Sequence, residues 1–277
     1  MRNLLSANFA RLFKDKVFGA ALAAVLLCAV ATMLNGCRQA ALNASSGFSY
    51  TLDDYYFNLA PTLGLFCAVF TSLFLGTEYS DGTLRNKIMV GHSRASIYLA
   101  NLIVCFAATL CFVAVWLVGG LVGIPSLGLW KIGAAGLATY VALIVCFAAA
   151  LSSIFTFMGM NLQGKAASAV LSLLLFLALL VGASMVYGRL CAPELSSGIV
   201  ITSEGMQMAD PAPNPEYVGG SLRRAYEGIL DLLPTGQGIL VANLEVARPL
   251  FMLASSALIS AVMTLLGVWM FRKKDLK

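Results

Sequence analysis

Few residues in this chain could do chemistry, and their spacing argues against most of it. The segment Gly159-Met160-Asn161-Leu162-Gln163-Gly164-Lys165-Ala166 nearly matches the phosphate-cradling pattern G-x-x-x-x-G-K-[ST]. That chemistry needs a Ser or Thr hydroxyl on Mg²⁺ at the last place and a β-strand leading in. Ala166 has no hydroxyl and a long apolar run leads in, so the segment reads as a plain turn. His92 is the single histidine, which rules out a His-based metal cluster, an H-E-x-x-H helix and any histidine triad. Five of the seven cysteines (Cys28, Cys67, Cys105, Cys111, Cys146) sit inside apolar runs, where Cys acts as a small apolar residue. Cys37 and Cys191 fall just beyond the ends of such runs, which leaves a disulfide between them open. Inside the runs only scattered Ser and Thr, Asn101 and Tyr140 are polar, and such hydroxyls commonly bond to helix backbone. A membrane-embedded enzyme therefore lacks its catalytic groups.

The densest polar stretch between apolar runs is Glu78 to Tyr98, EYSDGTLRNKIMVGHSRASIY, with Glu78, Asp81, Arg85, Lys87, His92 and Arg94. Asp81-Gly82-Thr83 reads as a turn ending in a helix N-cap, with the Thr83 hydroxyl accepting from orphan N–H groups and Asp81 at the positive end of the helix dipole. Leu84 and Ile88, four apart, share one face of a short helix, Arg85, Asn86 and Lys87 cover the rest, and Gly91 stops it. A short amphipathic helix at the mouth of two membrane spans suits docking to a soluble partner. The plainer alternative, which charge alone favours, is a solvated loop obeying the positive-inside rule.

The elements that position this stretch follow from composition. The chain is 60% hydrophobic and 11% charged, with mean hydropathy +0.86, and belongs in lipid. Charge-free runs able to cross about 30 Å of hydrocarbon occur at 17–34, 59–76, 99–118, 132–158, 166–187 and 250–271. The fold class expected is an all-α polytopic membrane protein, a single transmembrane domain over 1–277 with six spans and both termini on one side. Lys and Arg orient it: twelve of the eighteen, among them Arg2, Arg11, Lys14, Lys16, Arg85, Lys87, Arg94 and Lys165, fall with the two termini and the Glu78–Tyr98 loop, which are therefore expected to be cytoplasmic. The basic balance concerns topology, and no stretch interleaves aromatics with base-reading side chains, so nucleic acid is set aside. Charge-free spans also disfavour proton- or ion-coupled carriers, which keep ionisable groups in the membrane. Energy for any transport would have to enter from outside the chain.

Residues 2–16 put Leu5, Phe9, Leu12 and Phe13 on one face, as in an interfacial amphipathic helix. A secretory signal is the rival reading, but an 18-residue apolar run followed by five further spans favours a retained anchor. Outside, 188–248 is one large loop. Its first part is rich in Pro, with a short strand at Ile199–Thr202; its second part holds a helix Leu222–Leu233 capped by Ser221 and ended by Pro234-Thr235-Gly236, then an apolar segment Gly238–Ala247 too short to span. These two pieces either dip into the outer leaflet or form a small cap packed on the spans.

Glu78-Tyr-Ser-Asp81-Gly82-Thr83-Leu84-Arg85-Asn86-Lys87, followed by Gly91-His-Ser-Arg94 and Ile97-Tyr98, resembles the loop between spans two and three of the ABC type 2 transporter permeases. The ending Phe271-Arg-Lys-Lys-Asp275-Leu-Lys277, the six spans, the N-terminal interfacial helix and the long external loop before span six resemble that family as well. The resemblance implies a membrane-spanning permease subunit of a bacterial ATP-binding-cassette exporter in the cell membrane, paired with a second permease copy or paralogue. It implies no catalytic residue, metal or cofactor on this chain, with ATP and Mg bound by a separate ATPase subunit. The loop would be the coupling helix: Glu78 and Asp81 position it, Gly82 and Thr83 start it, Leu84, Ile88 and Met89 fill the ATPase groove, and Arg85, Lys87 and Arg94 make rim pairs. The alternative is a non-transporting membrane sensor or immunity protein that binds a ligand through its external loop.

Overall fold

The computed structural model describes residues 1–44, 50–162, 164–196, 199–202, 205–208 and 211–274. The terminal Asp275–Lys277, Gln163 and parts of the Pro-rich external segment lie outside the described residues. Six long helices satisfy the length and hydropathy needed to cross a membrane: α2 (Lys16–Asn43), α4 (Leu63–Ser80), α6 (Arg94–Gly120), α8 (Gly133–Asn161), α9 (Lys165–Cys191) and α12 (Pro249–Lys273). Between them stand α1 (Arg2–Lys14), α3 (Asp53–Tyr56), α5 (Thr83–Met89), α7 (Ile124–Leu127), α10 (Gly220–Leu232) and α11 (Pro234–Ala242). The chain is a helical, multi-span membrane protein.

Several boundaries differ from the sequence expectation. Helix α2 runs nine residues past Leu34, because no proline interrupts 35–43 and Gly36, a weak helix former, is buried against the Tyr55 ring where a Cβ would not fit. At 28 residues it is about 42 Å long, more than the hydrocarbon needs, so its polar last turns stand clear of the apolar layer. The second span enters through α3 and a 3₁₀ turn at Ala60–Thr62, where Pro61 lacks a donor that a first turn would leave orphaned anyway. Asp53, which precedes that turn, is buried, and its carboxylate accepts from the backbone N–H groups of Lys131 (2.6 Å) and Ile132 (3.3 Å), so it caps the start of α8 from another element. Of the segment 159–166, residues 159–161 still belong to α8 and Lys165 already opens α9, so the helices part only after Asn161, and a helix, not a strand, leads in.

Helices α4, α6 and α8 form the centre, with Cys67, Phe70, Phe74, Val104, Phe112, Phe147 and Phe155 fully buried. Phe18 of α2 joins them through rings 5.6 Å from Phe70 and 5.9 Å from Phe112. Facing helix surfaces are rich in Ala, Ser and Gly, such as Ala148, Ala150, Ser152 and Ser153 of α8, which lets backbones approach where lipid supplies no hydrophobic drive. Helices α2, α9 and α12 lie outside, and Leu27, Leu174, Val181, Leu258 and Leu265 are exposed on them, as hydrocarbon contact requires.

Away from the basic end, two small antiparallel pairs form: β1 (Leu195–Ser196) with β4 (Ala212–Pro213), and β2 (Ile199–Thr202) with β3 (Gly205–Met208). β2 coincides with the expected strand. Helix α10 starts at Gly220 with no side-chain cap, so Ser221 does not cap it. Pro234 ends α10 and also opens α11, where its missing N–H costs nothing, so the second helix lies earlier than the Gly238–Ala247 segment. Helix α11 is packed inward on the ends of α8, α9 and the 60–62 turn, a cap on the spans. Its centre is Gln237, fully buried. The Gln237 amide donates to the Asp231 carbonyl (2.7 Å), the Met252 carbonyl (3.0 Å) and Ser255 Oγ (2.9 Å), and accepts from Ser256 Oγ (2.7 Å). One side chain thus ties α10 and α11 to the start of α12.

Candidate functional site

At the basic end, α4, α5, α6 and α1 meet on one carboxylate. Glu78 lies in the last turn of α4, its side chain wholly buried. Its Oε1 receives Arg11 Nη1 of α1 at 2.6 Å and the Lys87 ammonium of α5; its Oε2 receives Asn101 Nδ2 of α6 at 2.8 Å. Asn8 closes the ring: its amide donates to Asn101 Oδ1 at 2.6 Å, and its own Oδ1 accepts from Lys87 at 2.9 Å. Arg11 also reaches the Phe74 carbonyl (3.3 Å) and stacks 3.8 Å over the Phe74 ring. Every polar atom of the Glu78 carboxylate is used, which is how a buried charge is tolerated.

A second brace lies beside the first. Tyr79 donates to the Met160 carbonyl at the end of α8, and Lys274 donates to both, at 2.8 Å to the Tyr79 hydroxyl and 3.1 Å to the Met160 carbonyl. Arg94, at the start of α6, donates to the carbonyls of Phe271 (3.3 Å), Arg272 (3.4 Å) and Lys274 at the end of α12. Together the two braces fasten one end of the bundle into a plate.

Helix α5 is the part of that plate that faces out. Gly82 is its N-cap, at φ +66°, and Gly91 follows it at φ +93°. Only glycine takes such angles without strain. The His92 N–H bonds the Lys87 carbonyl (3.2 Å) and the Gly91 N–H the Ile88 carbonyl (2.9 Å), a Schellman closure. Thr83 does not cap: it is the first helical residue, and its hydroxyl donates back to the Glu78 carbonyl at 3.2 Å. Leu84 is buried in the main core, so it cannot fill a groove on another protein; Ile88 packs against the same core, partly buried. Lys87 and Arg94 are engaged inside the chain by Glu78 and by the α12 carbonyls, not held at a rim. Met89 and Val90, 69% and 77% exposed, form the outward tip, with Asp81 and Arg85 also exposed. A groove of about 330 Å³ runs between α1 and α5, lined by Leu4, Ala7, Asn86, Val90 and His92 among others.

The residues missed by sequence reasoning are Asn8 and Arg11. The buried row of α1 is Leu4, Asn8 and Leu12, spaced by four, whereas Phe13 is 72% exposed. An asparagine in line with two buried leucines was the available signal. Cys37 and Cys191 are free thiols, on α2 and α9, and no disulfide joins them. Among the described residues no group of three or more His, Cys, Asp or Glu could hold a metal ion. The geometry at Glu78 can position and transmit; it presents no nucleophile. No protein-family model matches the chain, and no curated protein matches it either.

Proposed function

We propose that the chain is the membrane-spanning permease subunit of an ATP-binding-cassette transporter, an exporter, with the basic end cytoplasmic. The reading rests on the resemblance of the Glu78–Tyr98 loop, and the observation that carries it further is the anchoring of α5. A short helix with an apolar exposed tip, tied by a buried carboxylate to α1, α4 and α6, suits transmission of force. A flexible solvated loop would need no such tie. In this account a separate ATPase subunit, holding ATP and Mg, seats Met89 and Val90 in an apolar groove, with Arg85 and Asp81 at its rim. Leu84 and Ile88 hold α5 to the permease. When the ATPase subunits move, α5 is displaced, and Glu78 passes the displacement to three elements at once. A second permease copy or paralogue completes the path.

The test is co-purification. Met89→Asp and Val90→Asp should abolish association with an ATPase subunit while the chain still inserts and folds, because both side chains already face water. Undiminished association of the double variant would refute the docking role of α5.

A further inference from the structure

The end opposite α5 holds a cavity of about 330 Å³ between the last turn of α9, helix α10, helix α11 and the segment leading into α12. Its bed is apolar, made by Leu190, Leu230 and Leu240, and five charged side chains line its walls. Two ion pairs span it: Arg223 with Glu227 at 3.3 Å, one helical turn apart on α10, and Arg248 with Asp231 at 2.6 Å, joining α10 to the start of α12. The fifth charge, Glu245, has no ion partner among the described residues. Glu245 is held at the lip by backbone: Leu244 sits at φ +59° in the place after a helix that glycine usually takes, and the Glu245 N–H closes on the Leu240 carbonyl at 2.9 Å.

We propose that this cavity binds a compact organic cation with an apolar body, the Glu245 carboxylate serving as counter-charge and the three leucines as the bed. The sign follows from what each ligand would disturb. An anion that drew Arg248 from its acid would leave the Asp231 carboxylate, 4% exposed, buried and unpaired, and one that drew Arg223 would meet the freed Glu227 and the Glu245 carboxylates in the same cavity. A cation disturbs neither pair and neutralises the remaining charge. Size limits the ligand too, since about 330 Å³ lies at the low end of small-molecule pockets. The proposal does not depend on the ATPase reading, because cavity and α5 lie at opposite ends.

Cys191, an exposed free thiol in the cavity wall, gives a native reporter. The full chain in phosphatidylcholine nanodiscs is alkylated with a charged maleimide at neutral pH, and the Cys191 peptide is followed by mass spectrometry. Phenethylammonium should slow its alkylation severalfold, whereas 2-phenylethanol and 3-phenylpropionate at equal concentration should not. Glu245→Gln, at an exposed position where folding is not at risk, should remove that protection. The proposal is overturned by an unchanged rate with phenethylammonium, by equal protection from the alcohol or the acid, or by protection that survives Glu245→Gln.

Discussion

Replacing Glu78 by Gln keeps the shape of the side chain and removes its charge. In the native chain one oxygen of Glu78 serves both Arg11 and Lys87, and the other takes the Asn101 amide. Glutamine offers one oxygen and places an amide where an acceptor is needed, so either a cation or Asn101 loses its partner. Lys87, 16% exposed, cannot reach water without moving α5, while Arg11, 30% exposed, can turn outward in part. Breaking a buried pair costs about 3–5 kcal/mol, and the partial escape of Arg11 puts the expected loss at about 3 kcal/mol. The assay is reversible unfolding in mixed micelles with added SDS, followed by fluorescence of Trp116, Trp130 and Trp269. Lys87→Met removes one of two cations and should cost less, because Arg11 still neutralises the carboxylate. The double variant should lose less than the sum of the singles, with a coupling of about 1–3 kcal/mol. A Glu78→Gln loss within about 0.5 kcal/mol, the range of an ordinary surface change, would refute the view that Glu78 fastens this end.

Gln237→Leu should cost about 1–3 kcal/mol in the same unfolding experiment, since it leaves the buried Ser256 hydroxyl without its acceptor and removes the amide from the Asp231 and Met252 carbonyls, which keep only the Ser255 hydroxyl as a side-chain donor. Gly91→Ala should cost about 1 kcal/mol, because φ +93° is strained for any side chain, and proteolysis near residue 91 should rise with it. Lys274, half-buried just beyond α12, has its ammonium pushed down from 10.5 to about 8 by loss of water. The unfolded chain therefore holds that proton more tightly, so the penalty is complete below about pH 8 and fades as pH rises toward 10.5. Stability should increase across that interval, and Lys274→Met should flatten the increase in a pH series.

The six spans were legible because long charge-free runs have no other stable home, and the loop helix because Gly82 and Gly91 bracket it. What the sequence hid is the direction in which each polar residue points. Glu78 follows the second apolar run and reads as the first loop residue, yet it lies in the last turn of α4 and is buried by partners 9, 23 and 67 residues away on three other helices. Leu84 and Ile88 were rightly placed on one face, but periodicity does not say whether that face meets a partner or the chain's own core; Leu84 meets the core. Thr83 lost its capping role because Gly82 already makes the turn, leaving the hydroxyl free for the Glu78 carbonyl. Gln237 gave no signal, since a lone amide in an apolar segment looks like a loop residue until the Ser255-Ser256 pair is brought against it.

If α5 is the docking point of an ATPase, the tagged full chain purified from its native membrane should bring that subunit with it. Co-purifying proteins are identified by mass spectrometry and the eluate is assayed for ATP hydrolysis. The account predicts recovery of an ATP-binding-cassette subunit with vanadate-sensitive hydrolysis, lost with Met89→Asp/Val90→Asp and retained with Glu245→Gln. Recovery of the chain alone, or with a partner that binds no ATP, would contradict it.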